Sequence, residues 1–248
     1  MTTPCFSIVV PAYNEEVRLK SSLNKIDAYL RDREVSCEII VVDDGSSDQT
    51  AQIAMNFAGN CVEHCSVRVL SNDSNRGKGY SVRRGMLESK GSYALLTDAD
   101  LSSPIEEMPQ LEAFVVKGNC DIAIGSRDVP GSKVEIHQSW MRENAGKVFN
   151  RVVRFSTGLP FWDTQCGFKL FRMDVCRDVF RKQRLNRFAF DVELLYIAHK
   201  WGLKTVEVPV VWRHADGSKV KLFPDAPLTG LDLLRIRWSD LRGLYDPQ

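Results

Sequence analysis

Glu38-Ile39-Ile40-Val41-Val42 runs straight into Asp43-Asp44-Gly45-Ser46-Ser47-Asp48, and this switch from apolar strand to carboxylates and hydroxyls decides the fold. A strand apolar along its length has no solvent face, so it belongs in a parallel sheet covered on both sides. The Asp/Ser-rich stretch then opens a helix predicted over Ser47–Phe57, with Ser47 or Asp48 as its cap and Gly45 in the turn. The same unit recurs on either side. Phe6–Val10 is a strand closed by Pro11, followed by a helix over Asn14–Arg31 with Leu19, Leu23, Ile26 and Leu30 on one face. Val67–Leu70, Tyr93–Thr97 and Asp121–Gly125 are further strands, alternating with helices over Gly79–Glu88 and Ile105–Val116. Strands regularly separated by helices give an α/β fold, a mostly parallel sheet with helices on both faces.

Ligands of such sheets bind beyond the carboxyl ends of the strands. The residues there are Tyr13-Asn14-Glu15, Asp43-Asp44-Gly45-Ser46, Asn75-Arg76-Gly77-Lys78, Asp98-Ala99-Asp100 and Ser126-Arg127. Five strand ends all deliver polar or charged groups, which makes them a site. After residue 127 the pattern changes to helices over Trp140–Phe155, Asp191–Trp201 and Leu228–Leu241, with strands at Gly167–Phe171 and Thr205–Val211. No linker or repeat separates these parts. The chain therefore reads as one domain over 1–227, with halves of about 1–126 and 127–227, and a C-terminal amphipathic helix and tail over 228–248.

Composition narrows the function. With 248 residues, 44% of them hydrophobic, the chain has enough apolar material for a core and is not a disordered tail. No apolar run approaches the roughly 20 residues of a spanning helix. The N-terminus has neither a basic nor an apolar leader segment, and the seven cysteines are scattered, with only Cys61 and Cys65 close together. Free thiols in a reducing cytoplasm are the expectation, not a zinc site. The net charge of +1 hides an asymmetry: residues 127–187 hold 13 Lys+Arg against 6 Asp+Glu, so this segment is +7 and the remainder −6. Trp140, Phe149, Phe155, Phe161 and Trp162 are interleaved with these cations. That pairing fits an anionic acceptor or an anionic lipid surface, and no motif supports nucleic acid.

Two carboxylates two residues apart at a strand end, Asp98 and Asp100, suit a hard divalent cation that leaves positions open for phosphate oxygens. Asp43 and Asp44 exceed what capping requires and suit nucleobase N–H groups or ribose hydroxyls. The Asn75–Gly79 loop fails the Walker pattern, which needs Gly where Asn72 stands, and fails the dinucleotide pattern at Val82. What remains is a basic loop opening a helix, a diphosphate contact. Asp163, Asp191 and Glu193 are each either an acid or base or a structural carboxylate, and His214 is a lone histidine in a polar loop.

Val10-Pro11-Ala12-Tyr13-Asn14-Glu15-Glu16, Val42–Asp48, Asp98-Ala99-Asp100 and Gly125-Ser126-Arg127 together resemble the family 2 glycosyltransferases of GT-A fold. Asp163-Thr164-Gln165-Cys166-Gly167-Phe168-Lys169, Phe190–Leu195, Trp212 and Gly217-Ser218-Lys219 are similar to the polyprenyl-phosphate sugar transferases, their dolichyl-phosphate glucosyl branch especially. The resemblance implies an inverting transfer from a nucleotide sugar, UDP-glucose foremost, to a lipid phosphate. It implies that Pro11, Tyr13 and Glu15 with Asp43 and Asp44 hold the nucleoside and that Asp98 meets the ribose and diphosphate, and Lys78 of the basic loop joins them as a donor contact. Asp98 and Asp100 would then hold Mg²⁺ or Mn²⁺, and Arg127 and Arg142 would meet the acceptor phosphate. Asp163 would lie close to the reacting centre, and with it Arg127 and the candidate acid or base Asp191 are the expected catalytic residues. Mannosyl relatives carry Gln as a further metal ligand where Ser102 stands, and glucosyl relatives of eukaryotes carry an N-terminal membrane helix not seen here. Peripheral attachment to the cytoplasmic face of a membrane is therefore expected. The alternatives are another donor such as GDP-mannose, a soluble hydroxyl acceptor, or a non-catalytic nucleotide-sugar-binding subunit.

Overall fold

The computed structural model describes residues 5–33, 35–59, 65–136, 140–214 and 222–247, the side chains of 140–145, 147 and 222–228 excepted. Strands β1 (Phe6–Ala12) and β2 (Cys37–Asp43) are buried at every residue, as strands without a solvent face must be. With β3 (Cys65–Ser71), β4 (Tyr93–Leu96) and β5 (Ile122–Ser126) they share a seven-stranded sheet. A short β6 (Lys133–Ile136) lies outside it, and β7 (Lys169–Arg172) and β8 (Thr205–Pro209) complete it in the order β3-β2-β1-β4-β7-β5-β8. Glu38 inside β2 is satisfied by Ser7 Oγ and the Lys90 amide, each donating at 2.6 Å.

Side chains alternate between two cores because successive strand residues point to opposite faces. Ile8, Val10, Ile39 and Val41 pack under α1 (Leu19–Arg31), α2 (Thr50–Ala58) and, later in the chain, α4 (Met108–Val115). Val9, Ile40 and Val42 pack under α3 (Lys78–Glu88), α5 (Trp140–Thr157), α6 (Met173–Lys182) and α7 (Phe190–Lys200). The final helix, α8 (Leu222–Leu241), joins this second core through Leu233 and Ile236.

The sheet is mostly parallel, as expected, except for β7, which runs antiparallel to both β4 and β5. The strand expected over Thr205–Val211 is divided: β8 continues the main sheet, and β9 (Val211–Arg213) leaves it to pair with β6. The helix expected from Asn14 starts only at Leu19. Asn14 takes the left-handed φ of 52°, and its Oδ1 accepts from the Ser47 amide at 2.9 Å. Residues 14–16 are thus bound laterally to the 46–50 loop instead of coiling. The N-cap of α2 is Gln49 rather than Ser47 or Asp48, while Asp48, one residue earlier, accepts from the Thr50 amide at 2.9 Å. Helix α6 has no counterpart in the sequence reading, although Met173, Cys176, Val179 and Phe180 form a buried face. α8 begins at Leu222 rather than 228. Among the described residues no helix is long and apolar enough to cross a membrane, and none of the six described cysteines is in a disulfide.

Candidate active site

The carboxyl ends of β1, β2 and β4 open onto a cavity of about 640 Å³. Pro11, Tyr13, Glu15, Asp44, Lys78, Asp98 and Asp100 line it, so seven of the expected residues converge there from separate strand ends. Asp43 differs from its neighbour: it is buried, and its Oδ1 accepts from the Ser46 amide at 3.3 Å, closing the turn. Arg18, Arg187 and Phe188 also line the cavity and were not singled out from sequence. Arg18 grips Glu15 through Nε and Nη2, at 2.8 and 2.7 Å, and its Nη1 lies 3.8 Å from Asp100 Oδ2.

Asp44 holds the basic loop. Its Oδ1 accepts from the Arg76 amide at 2.9 Å and from Asn72 Nδ2 at 2.7 Å, and its Oδ2 accepts from the Gly77 amide at 2.8 Å. Gly77 has a φ of 100°, and a Cβ there would sit 2.4 Å from the Asn186 carbonyl oxygen, so only glycine fits. The next residue, Lys78, places Nζ 2.6 Å from Asp98 Oδ1. Burial favours neutral Lys78, but Asp98 and then Asp191 outweigh it and hold the ammonium above its ordinary pKa. Burial likewise pushes Asp98 up, while Lys78, with Lys169 and Arg127, brings it below the usual carboxylate range. The carboxylate is therefore ionised at neutral pH.

The donor set fits a hard divalent cation. Asp98 rests against the bare Cα of Gly167, where a Cβ would meet Asp98 Oδ2 at 2.1 Å, so the cradle is shaped around this carboxylate. Asp100 keeps one oxygen on the Ser102 amide at 2.9 Å. The described residues contain no group of three or more candidate ligands. Two carboxylates are nonetheless enough for an ion of this kind, which takes its other oxygens from phosphate and water.

A second set of charges lies beside the first. Asp163 is fully buried and accepts from Arg127 three times: from Nε at 2.7 Å, Nη2 at 2.8 Å and the amide at 3.0 Å. The Gln165 amide adds a fourth contact at 3.3 Å. Burial pushes the Asp163 carboxyl up, but Arg127 brings it well below the usual range. The loop is fixed in turn by Glu207 on β8, which accepts from the Trp162 and Asp163 amides, both at 2.9 Å. Arg127 also lies over the Trp212 ring, 5.4 Å from its centre. Asp191 is buried against Lys169 at 2.5 Å, and burial raises its pKa despite that partner. Neither Asp163 nor Asp191 is placed as a free base.

Glu193 serves structure: its Oε2 accepts from the Arg184 and Leu185 amides at 3.0 and 2.8 Å. His214 stacks on Trp212, ring centres 6.0 Å apart. Arg142 belongs to α5, but its side chain lies outside the described residues, as do Cys61 and the 217–219 motif. Of the residues missed from sequence, Glu207 and Arg187 left no signal, because each acts through a partner or a wall from the other half of the chain.

The family model for glycosyl transferase family 2 matches residues 7–180, and the chain belongs to that family. It is a glycosyltransferase of GT-A fold. It is 36% identical to a dolichyl-phosphate β-glucosyltransferase of Dictyostelium discoideum, over 96% of this chain and 76% of that protein. It is 37% identical to the Homo sapiens enzyme of the same name, over 98% and 78% respectively. Among solved structures, glucosyl-3-phosphoglycerate synthase of Mycobacterium tuberculosis with Mn²⁺, UDP-glucose and glycerol 3-phosphate superposes with a TM-score of 0.68. The overlap covers 95% of this chain and 79% of that one at 18% identity, a likeness of fold.

Proposed function

We propose that the protein transfers glucose from UDP-glucose to a polyprenyl phosphate of dolichyl type, with inversion at the anomeric carbon. Its support is likeness over nearly the whole chain to enzymes named for that acceptor and sugar. The observation that carries the acceptor class is the occupancy of Asp163, whose oxygens already accept from Arg127 and Gln165. A hydroxyl acceptor needs a general base within hydrogen-bond reach. A phosphate monoester, with a second pKa of about 6, is mostly dianionic at neutral pH and needs none.

In this reading Pro11, Tyr13 and Glu15 bound the nucleoside, Asp44 braces the 75–77 loop, and Lys78 lies beside the diphosphate. Asp98 and Asp100 would hold Mg²⁺ or Mn²⁺, which supplies charge neutralisation for the departing UDP. Arg127, held in one orientation by Asp163, meets the acceptor phosphate together with Arg142. An acceptor phosphate oxygen attacks the anomeric carbon from the face opposite UDP. The bond to the UDP oxygen breaks, its electron pair leaves with UDP, and no proton moves. Asp163 orients Arg127, and Asp191 keeps Lys169 in place under the Asp98 cradle.

Peripheral attachment to an anionic membrane surface belongs to the same reading. On α8, Leu231, Leu234, Trp238 and Leu241 are exposed, while Leu233 and Ile236 dock on the core. At 100° per residue those four share a narrow stripe flanked by Arg235, Arg237 and Arg242. On α5, Val148, Val152 and Phe155 form a second exposed stripe beside Arg151. Apolar stripes edged with arginine suit the boundary between acyl chains and anionic headgroups. Salt-sensitive co-sedimentation with anionic vesicles, lost in Leu234→Glu with Trp238→Glu, is the expected result; no vesicle binding by the wild type refutes the attachment.

Transfer is tested with labelled UDP-glucose and GDP-mannose, each with Mg²⁺ or Mn²⁺, with and without a short polyprenyl phosphate. UDP release that depends on the lipid, with label in an organic-extractable product, is expected. Lipid-independent turnover or a preference for GDP-mannose would overturn the assignment.

A further inference from the structure

Glu193 is fully buried, yet no part of the transfer just described uses it. Its Oε1 accepts from the hydroxyl of Tyr245 at 2.5 Å, and its Oε2 accepts from the amides of Arg184 and Leu185. Tyr245, just beyond α8, is itself fully buried, and its carbonyl accepts from Trp201 Nε1 at 2.6 Å. On the other side, the 183–187 segment lies backbone to backbone against the basic loop. Gln183 Nε2 donates to the carbonyls of Gly79 and Leu185, at 2.8 and 2.9 Å, and the Tyr80 amide donates to Asn186 O at 3.1 Å. A Cβ on Gly79 would meet Leu185 O at 2.7 Å, so the contact leaves no room for a side chain. This segment ends in Arg187 and Phe188, which close the cavity wall beside Lys78.

We propose that Glu193 is a positioning residue for the nucleotide-sugar cavity: braced by Tyr245, it fixes the 184–188 loop so that Arg187 and Phe188 form the cavity wall. The inference rests on the reading that this cavity takes a nucleotide diphosphate. A backbone loop held by one buried carboxylate has a single geometry while both oxygens are occupied. Removal of the Tyr245 hydroxyl leaves Oε1 without its donor, and the Glu193 side chain loses the contact that fixes it from the α8 side. The amides of Arg184 and Leu185 then bond to a carboxylate that is no longer held in one position, and the loop loosens. The segment after α8, distant in sequence from every donor-binding motif, thereby sets donor affinity.

Tyr245→Phe keeps the ring and removes the bond. Binding of UDP with Mn²⁺, followed by calorimetry, is expected to weaken about tenfold, with kcat at saturating donor and KM for the lipid phosphate unchanged. Amide exchange at Arg184 and Leu185 speeds up in the same variant. Glu193→Gln retains an acceptor for the two amides and a group for the Tyr245 hydroxyl, and binds UDP within about twofold of wild type. Ile26→Val, in the opposite core, lowers Tm and leaves UDP binding intact, which separates positioning from general loss of stability. Unchanged UDP affinity and unchanged exchange in Tyr245→Phe would overturn the proposal. Where the wild type binds GDP rather than UDP, the donor assignment fails and the same comparison with GDP decides the clamp. A wild type that binds neither overturns both.

Discussion

Replacing Asp163 by Asn removes one negative charge and one acceptor from a pair whose carboxylate is fully buried and whose guanidinium is partly exposed, and the cost follows from the contacts. Both carboxylate oxygens accept from Arg127 side-chain nitrogens, at 2.7 and 2.8 Å. An Asn side chain offers one oxygen and one NH₂, so whichever way the amide is turned, a donor faces a guanidinium N–H. At least one charge-assisted hydrogen bond, worth about 1.5–3 kcal/mol, is lost, and Arg127 keeps its charge without its main counter-ion. Breaking a buried pair from one side costs about 3–5 kcal/mol, a large part of a typical stability of about 5–15 kcal/mol. Urea unfolding followed by tryptophan fluorescence measures it. Asp163 is held below its ordinary pKa, so its contribution is present above the unfolded value of about 3.9 and lost as pH falls through the folded one. The gap between wild type and Asp163→Asn therefore narrows in acid. The double variant Arg127→Met with Asp163→Leu removes both charges and regains most of the stability, while transfer to the lipid phosphate stays lost. A deficit below about 1 kcal/mol in the single variant would refute the buried-pair reasoning. Normal lipid-phosphate KM in the double variant would refute the role given to Arg127.

Asp100→Ala is expected to lower turnover by at least about 100-fold with only a small fall in the unfolding midpoint, since the side chain gives up one hydrogen bond, from the Ser102 amide, and a 3.8 Å contact with Arg18. Retained Mn²⁺-dependent UDP binding, read by calorimetry, would count against it. Gly167→Ala inserts a methyl group 2.1 Å from Asp98 Oδ2. The carboxylate must shift by about an ångström, and kcat/KM should fall about 100-fold with far-UV circular dichroism unchanged; wild-type kinetics would show that the cradle does not set Asp98. Lys169→Met and Asp191→Leu should each destabilise by about 3–5 kcal/mol and the pair together by far less, because the pair is buried. Additive losses in urea unfolding would refute that coupling.

The alternation of apolar strands with helices was legible because each element announces itself over a few residues, and the strand-end rule then located Tyr13, Asp44, Lys78, Asp98 and Asp100 on one cavity. The antiparallel β7 was not legible: Leu170 and Phe171 are apolar on either orientation, and direction depends on which neighbours the strand joins. Asn14 likewise reads as helix from its neighbours, until a loop 33 residues away claims its side chain.

The sequence by itself determined the parallel strands β1 to β5 with helices on both faces, the family and the acidic pair at the end of β4, since local pattern and motif strings carry those. Tertiary structure alone decided what each carboxylate does. Asp43 closes a turn while Asp44 next to it binds a loop. Asp163 is saturated by Arg127, and Glu193 is tied to Tyr245 across 52 residues. An isolated carboxylate has the same chemistry at every position; its role is fixed by which donors the fold brings to its two oxygens, and those donors come from distant parts of the chain.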